Sequence, residues 1–360
     1  MRRSLFAALS VSPVVLLSLL GLGQAQTPEG QRIAGPFVHE NLAIYFIHGR
    51  SAPGKVPLTL EEALARNVVK VRETSNLNQL EIENLGDNEV FVQSGDIVKG
   101  GKQDRTLMVS LILPPKSGAV PIASFCVEQG RWTARGREDA KQFSTASAAV
   151  PSRELKLAMK APLPQSSSSY SADPSQPRAA AAETGVRQQQ VWDNVQKTQS
   201  RLTGNLGTSV RSVQSASSLQ LALENEKLVD AQKAYINALK AAGELDDDIV
   251  GFVFAVNGEL NSADVYPSNG LFRKMWIKLL TASAIEAIGH KDGARGEPPA
   301  VEAVTTFLAA AEGGKASERA LNVGVRLETR EAEKAYLFET ARASSPTPGA
   351  SWVHRNYLAR

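Results

Sequence analysis

The chain has 360 residues, room for two or three average domains or one large one. Hydrophobic residues make up 42% and charged residues 21%, which excludes wholesale disorder and fibrous architectures. With 40 basic against 37 acidic side chains the net charge is only +3, no field for gripping a nucleic-acid backbone, and one cysteine excludes an intrachain disulfide framework or a thiolate-rich zinc site.

Arg2 and Arg3 precede an apolar stretch from Leu5 to Leu22, broken by Pro13, and Gly23-Gln24-Ala25 supplies small residues at its end. This pattern predicts a cleaved signal peptide over residues 1–25, a mature chain starting near Gln26, and a periplasmic or secreted location. Cleavage removes two arginines and lowers the net charge from +3 to +1. No later run reaches the length of a membrane span. Cys126 lies in the apolar run Ile122–Val127 and is expected to be buried and inert.

Residues 36–143 read as a β-rich half, a sandwich or barrel-like unit. Phe37–Ile47 is apolar. Thr59 and Glu62 form a capping box for one or two helical turns. Strands are expected at Val68–Val71, Leu80–Glu83, Val90–Val92, Thr106–Leu113 and Val120–Val127, with turns at Gly86-Asp87-Asn88 and over 114–118. Residues 144–186 are rich in Ser, Pro and Ala, including the run Ser166–Ser169, and are expected to form a mobile loop. Residues 187–341 then read as helices plus antiparallel strands. Helices are expected over 188–202, 219–242, from the cap Ser268 to Gly289, and after Pro298-Pro299. Strands are expected at Asp248–Val256, Glu259–Tyr266, Leu321–Glu328 and Lys334–Thr340, with Asn257-Gly258 as the hairpin turn. Residues 342–360 form a C-terminal strand or tail. The fold class is α+β: the β-rich half packed against the helix-and-antiparallel-sheet half.

Two motifs concentrate chemistry. The segment Gly95–Arg105 packs glycines, acids and bases between two apolar strands. Glycines there let backbone N–H groups approach a ligand, and Lys99, Lys102 and Arg105 suit a phosphate or carboxylate, with Asp96 and Gln103 beside them. The alternative is a tight turn with solvated charges. The second motif, Glu128-Gln129-Gly130-Arg131-Trp132, ends an apolar strand and offers Arg131 and Trp132 as recognition groups. Its plain alternative is a strand end whose arginine pairs with an acid. In a β-rich fold the two motifs can converge, with Asp104 and Glu128 as candidate acid/base carboxylates and Glu73 near Arg105. The four histidines form no HxH, HxxxH or HExxH pattern, so no metal is expected, and no motif calls for a cofactor.

Taken in order, Gly95-Asp96, Lys99-Gly-Gly-Lys-Gln-Asp-Arg105, Pro114-Pro115, Cys126-Val-Glu-Gln-Gly-Arg-Trp132, Gln190-Val-Trp192, Val250-Gly-Phe252 and Leu271-Phe272 with Trp276 resemble one family. It is the ADP-ribosylglycohydrolase- and rhodanese-phosphatase-associated protein domain. The resemblance implies one composite unit over residues 36–341, with the Ser-rich stretch inserted in it. By association it points to phosphate-bearing or ADP-ribose-related ligands.

Three functions follow as expectations. The first is an exported binding or accessory protein for a small anionic ligand, phosphate- or sugar-bearing. The second is a hydrolase using Asp104 or Glu128, with Lys99, Lys102 and Arg105 stabilising negative charge. The third is a structural or interaction module. The sequence leaves open whether a reaction is catalysed and what the oligomeric state is.

Overall fold

The computed structural model describes residues 31–74, 76–135, 141–163, 177–321, 324–343 and 352–360. The expected signal peptide and Ser166–Ser169 lie outside them.

Strands β1 (Arg32–His39) and β2 (Leu42–His48) lead to β3 (Leu58–Thr59) and helix α1 (Leu60–Ala65). The strand series β4 (Val69–Glu73), β5 (Gln79–Asn84), β6 (Val90–Val92), β7 (Ile97–Gly100) and β8 (Arg105–Leu107) follows. β9 (Leu111–Leu113), β10 (Gly118–Cys126) and β11 (Phe143–Thr145) complete the β-rich half. Four helices come next: α2 (Arg153–Lys160), α3 (Pro177–Leu206), α4 (Leu219–Leu223) and α5 (Glu226–Leu239). The hairpin β12 (Ile249–Val256) and β13 (Glu259–Val265) precedes α6 (Asn269–Gly289) and α7 (Val301–Glu312). The last strands are β14 (Lys315–Leu321), β15 (Val325–Glu331), β16 (Ala335–Arg342) and β17 (Trp352–Ala359).

These strands build three sheets. An eight-stranded antiparallel sheet runs β1-β2-β12-β13-β17-β16-β15-β14. A six-stranded sheet runs β11-β7-β8-β10-β5-β4 and curls until its edge strands β4 and β11 approach, a nearly closed barrel. A small third sheet, β3-β6-β9, lies beside it. The barrel encloses Val71, Leu80, Ile82, Val98 and Leu107 among others. The main core lies between the large sheet and the helices, where Phe46, Phe252, Phe272 and Trp276 pack edge to face or stacked. Helix α7 covers the opposite face of the large sheet through Val304, Phe307 and Leu308. The chain is α+β, with a barrel-like N-terminal half and helices plus antiparallel sheet after it.

Local signals explain several elements. The Thr59–Glu62 capping box forms in both directions, at 3.1 and 2.9 Å. Asn257 and Gly258 both take positive φ, as the tight β12–β13 hairpin requires. Ser268 caps α6.

Other expectations change. The apolar run 106–113 is not one strand: it divides between the barrel (β8) and the small sheet (β9). The expected helix over 219–242 breaks at Asn225, whose side chain caps α5 through the amides of Lys227 and Leu228. Within 144–186, read as a loop, lie the end of β11, helix α2 and the start of α3, with Ala146, Ala148 and Val150 buried. The alanines at 179–182 are the strongest of helix formers, which outweighs their low-complexity look.

Candidate functional site

The Gly95–Arg105 motif is built as a strand, a tight turn and a second strand, since β7 and β8 pair across it. Gly100 and Gly101 both have positive φ. A Cβ on Gly100 would meet the carbonyl oxygen of Gln142, and one on Gly101 the ring of Phe143, so both positions require glycine. Asp104 is fully buried. Its carboxylate accepts both terminal nitrogens of Arg135 at 2.6 and 2.9 Å, the Ser218 hydroxyl at 2.8 Å and the Gly100 N–H at 3.0 Å. Glu128, equally buried, takes Arg131 Nε on both oxygens at 2.8 Å and the Asp104 N–H at 3.1 Å. Arg131 also donates to the carbonyls of Gly100, Gly101 and Thr133.

The two motifs thus converge, but on each other. Arg105 pairs with Glu73 at 3.1 Å, touches Gln103 and Cys126, and does not pair with Glu128. Asp96 accepts Lys278 of α6 at 2.7 Å. Lys99 binds both oxygens of Glu224 at 2.8 and 2.7 Å. Lys102 is exposed and lines a cleft of about 580 Å³ beside Glu73, and Trp132 is half exposed. Both candidate acid/base carboxylates are therefore enclosed by donors, and the motif joins the barrel to the helical half. Ser218 caps α4, Glu224 follows it, and the Leu219 N–H donates to the Val127 carbonyl. Cys126 is buried, and burial pushes its thiol up to about 11, which keeps it protonated and inert.

A second constellation was not singled out from the sequence. A cleft of about 270 Å³ opens between the barrel end and the large sheet. Lys160 at the end of α2, Ser94 and Ser110 from the barrel side, and His354 and Asn356 from β17 line it. At its floor His354 Nδ1 lies 2.9 Å from Ser110 Oγ, and His354 Nε2 lies 3.1 Å from Asp264 Oδ1. That second contact falls outside hydrogen-bond geometry and is a close polar contact. Asn356 donates to Asp264 at 2.9 Å and accepts Lys160 Nζ at 2.7 Å. Ser110 retains 1% of its surface and also accepts the Ser94 N–H at 2.9 Å, so a substrate carbonyl does not reach its Oγ.

The electrostatics of this floor are unusual. Burial drives the Lys160 ammonium down to about 7; Asp264 opposes this and the like charge of Lys156 adds to it. Burial lowers Lys156 as well, against Asp264 and Glu286. Burial alone would raise Asp264, but contact with His354 and the charges of Lys156 and Lys160 hold it below the usual carboxylate value. Burial lowers His354 against the pull of Asp264. Lys160 Nζ sits 5.4 Å over the Phe338 ring, and Lys156 Nζ 5.7 Å over Phe254. No local spacing announces the cleft, because its groups come from α2, β13, β17 and the turn before β9.

Together, the joint, the barrel and the cleft define an α+β protein in which a curled sheet and a large antiparallel sheet share one composite architecture. The chain belongs to the ARG and Rhodanese-Phosphatase-superfamily-associated Protein domain family, whose model matches residues 30–358. The match is wider than the 36–341 expected and takes in β17 as far as Leu358. No curated protein and no solved structure matches the chain. Among the described residues no helix is long and apolar enough to cross a membrane.

Proposed function

We propose that the protein is an exported binding protein for a small anionic ligand, taken up in the cleft around Lys160. One observation carries this reading. Lys160 hydrogen-bonds the neutral amide oxygen of Asn356, and among the described residues no carboxylate forms an ion pair with its ammonium. Arg319, on the exposed strand β14, lines the same cleft and has no ion pair among the described residues. A carboxylate or phosphate in the cleft would supply a direct ion-pair partner. A charge-assisted hydrogen bond contributes about 1.5–3 kcal/mol. The cleft, about 270 Å³, is at the lower end for small-molecule sites, so it suits a phosphate group or a small carboxylic acid rather than a whole nucleotide sugar. The anion also favours the charged amine, so binding takes up protons at neutral pH.

The test is a thermal-shift series with orthophosphate, pyrophosphate, ADP-ribose and short carboxylic acids. A ligand at about 100 times its dissociation constant adds about 2.7 kcal/mol. We expect at least one of these anions to raise the melting temperature of the wild type and not of Lys160→Met. An equal response in both proteins, or none to any anion, overturns the reading.

A further inference from the structure

We propose that Lys160 is a reactive amine that condenses with the carbonyl of a small anionic aldehyde or ketone, an oxo acid, to form an imine. The proposal rests on the anion-binding reading and names its ligand class.

Lysines 156 and 160 stand one helical turn apart on α2, so their ammonium groups face the same side. Each lies over an aromatic ring, Phe254 or Phe338, in a setting of low dielectric. Asp264, the acid whose charge bears on both lysines, is already engaged by His354 and Asn356. Two like charges sharing one committed carboxylate favour loss of a proton from one of the two amines, and the charge of Lys156 bears on Lys160 in this direction. Both lysines are half-buried, but only Lys160 lines the cleft; Lys156 is held over Phe254. Desolvation beside a second cation is a recognised way to prepare a lysine as a nucleophile. The value of about 7 for Lys160 agrees with this placement: near neutral pH about half of the amine carries a lone pair.

Asn356 Oδ1, 2.7 Å from Nζ, fixes one N–H and so orients the nitrogen. The neutral nitrogen attacks the carbonyl carbon and gives a carbinolamine. Both hydrogens of the amine then leave with the carbonyl oxygen as water, and the C=N bond forms. No oxidant or reductant is consumed, and water reverses the step. Arg319, on the rim of the cleft, remains for the acid group of the ligand.

The experiment mixes the mature protein with glyoxylate and sodium cyanoborohydride at pH 7, and maps the reduced adduct by peptide mass spectrometry. An ordinary lysine, with a pKa near 10.4, is neutral in only about 1 part in 2,500 at that pH. Allowing for the lower nucleophilicity of a weaker base, Lys160 should label at least ~10-fold faster than the median lysine. Orthophosphate should slow that labelling. Lys160→Arg, checked for folding by circular dichroism, should lose the adduct while orthophosphate still raises its melting temperature. Labelling of residue 160 no faster than of other lysines overturns the proposal. If anions stabilise both proteins and no selective adduct forms, the imine is wrong and the binding reading stands. If Lys160 labels selectively with acetaldehyde as fast as with glyoxylate, and no anion stabilises the wild type, the amine chemistry holds and the anion reading falls.

Discussion

Changing Asp104 to asparagine removes one negative charge from a position with no exposed surface, while keeping the side chain's shape. In the native protein its oxygens accept Arg135 twice, Ser218 and the Gly100 N–H, at 2.6–3.0 Å. The asparagine NH2 turns one acceptor into a donor, so at least one of these donors faces another donor. Arg135 then keeps Glu128 at 3.6 Å, too far to replace a bidentate pair. Breaking a buried pair from one side costs about 3–5 kcal/mol. At about 2.1 cal/mol/K per residue, a chain of 360 residues unfolds with an entropy of about 0.75 kcal/mol/K, so the melting temperature should fall by about 4–7 °C. Urea unfolding of Asp104→Asn, Arg135→Gln and the double variant completes a cycle. The double variant should lose less than the two singles together, by about 1 kcal/mol or more, because neither charge is left alone. A fall under about 1 °C for Asp104→Asn, or strict additivity, would refute the idea that this motif is a buried ionic joint.

Two further outcomes are expected. Lys160 titrates near 7 when folded and near its ordinary 10.5 when unfolded, so between those values the unfolded chain binds more protons and stability rises with pH. The urea midpoint should climb from pH 7 to pH 9.5 in the wild type and climb less in Lys160→Met; parallel curves would remove the lowered lysine. N-terminal sequencing of the exported protein should begin at or near Gln26, and a membrane-retained chain that keeps Met1 would show the leader is not cleaved.

The parts of the fold legible in the sequence are those written in short spans. Asn257-Gly258 dictates a hairpin because two adjacent positive φ values favour those residues, and Thr59 with Glu62 dictates a helix start. The strand that divides between β8 and β9 was not legible, since residues 106–113 are mostly apolar and one serine, Ser110, is too weak a mark for a change of sheet. The charged motifs were legible as a cluster, with Glu73 near Arg105, but which acid each of the other arginines takes was not. Arg105 and Glu128 are both buried, yet the carboxylate on Arg105 is Glu73, brought in by β4, and Glu128 turns to Arg131 three residues on. The cleft was invisible. Lys160, Asp264, His354 and Asn356 are spread over nearly 200 positions, and each alone looks like an ordinary helix or strand residue.

The place of β17 has a consequence for how the protein is made. It is the last strand in chain order, yet it lies between β13 and β16 in the interior of the large sheet and carries His354 and Asn356. Until residues 352–360 emerge, two hydrogen-bonding edges stand open where the finished sheet has none. The large sheet therefore closes only once residues 352–360 are available. This order also makes these nine residues the point where a stalled or clipped chain would expose sticky edges to its neighbours.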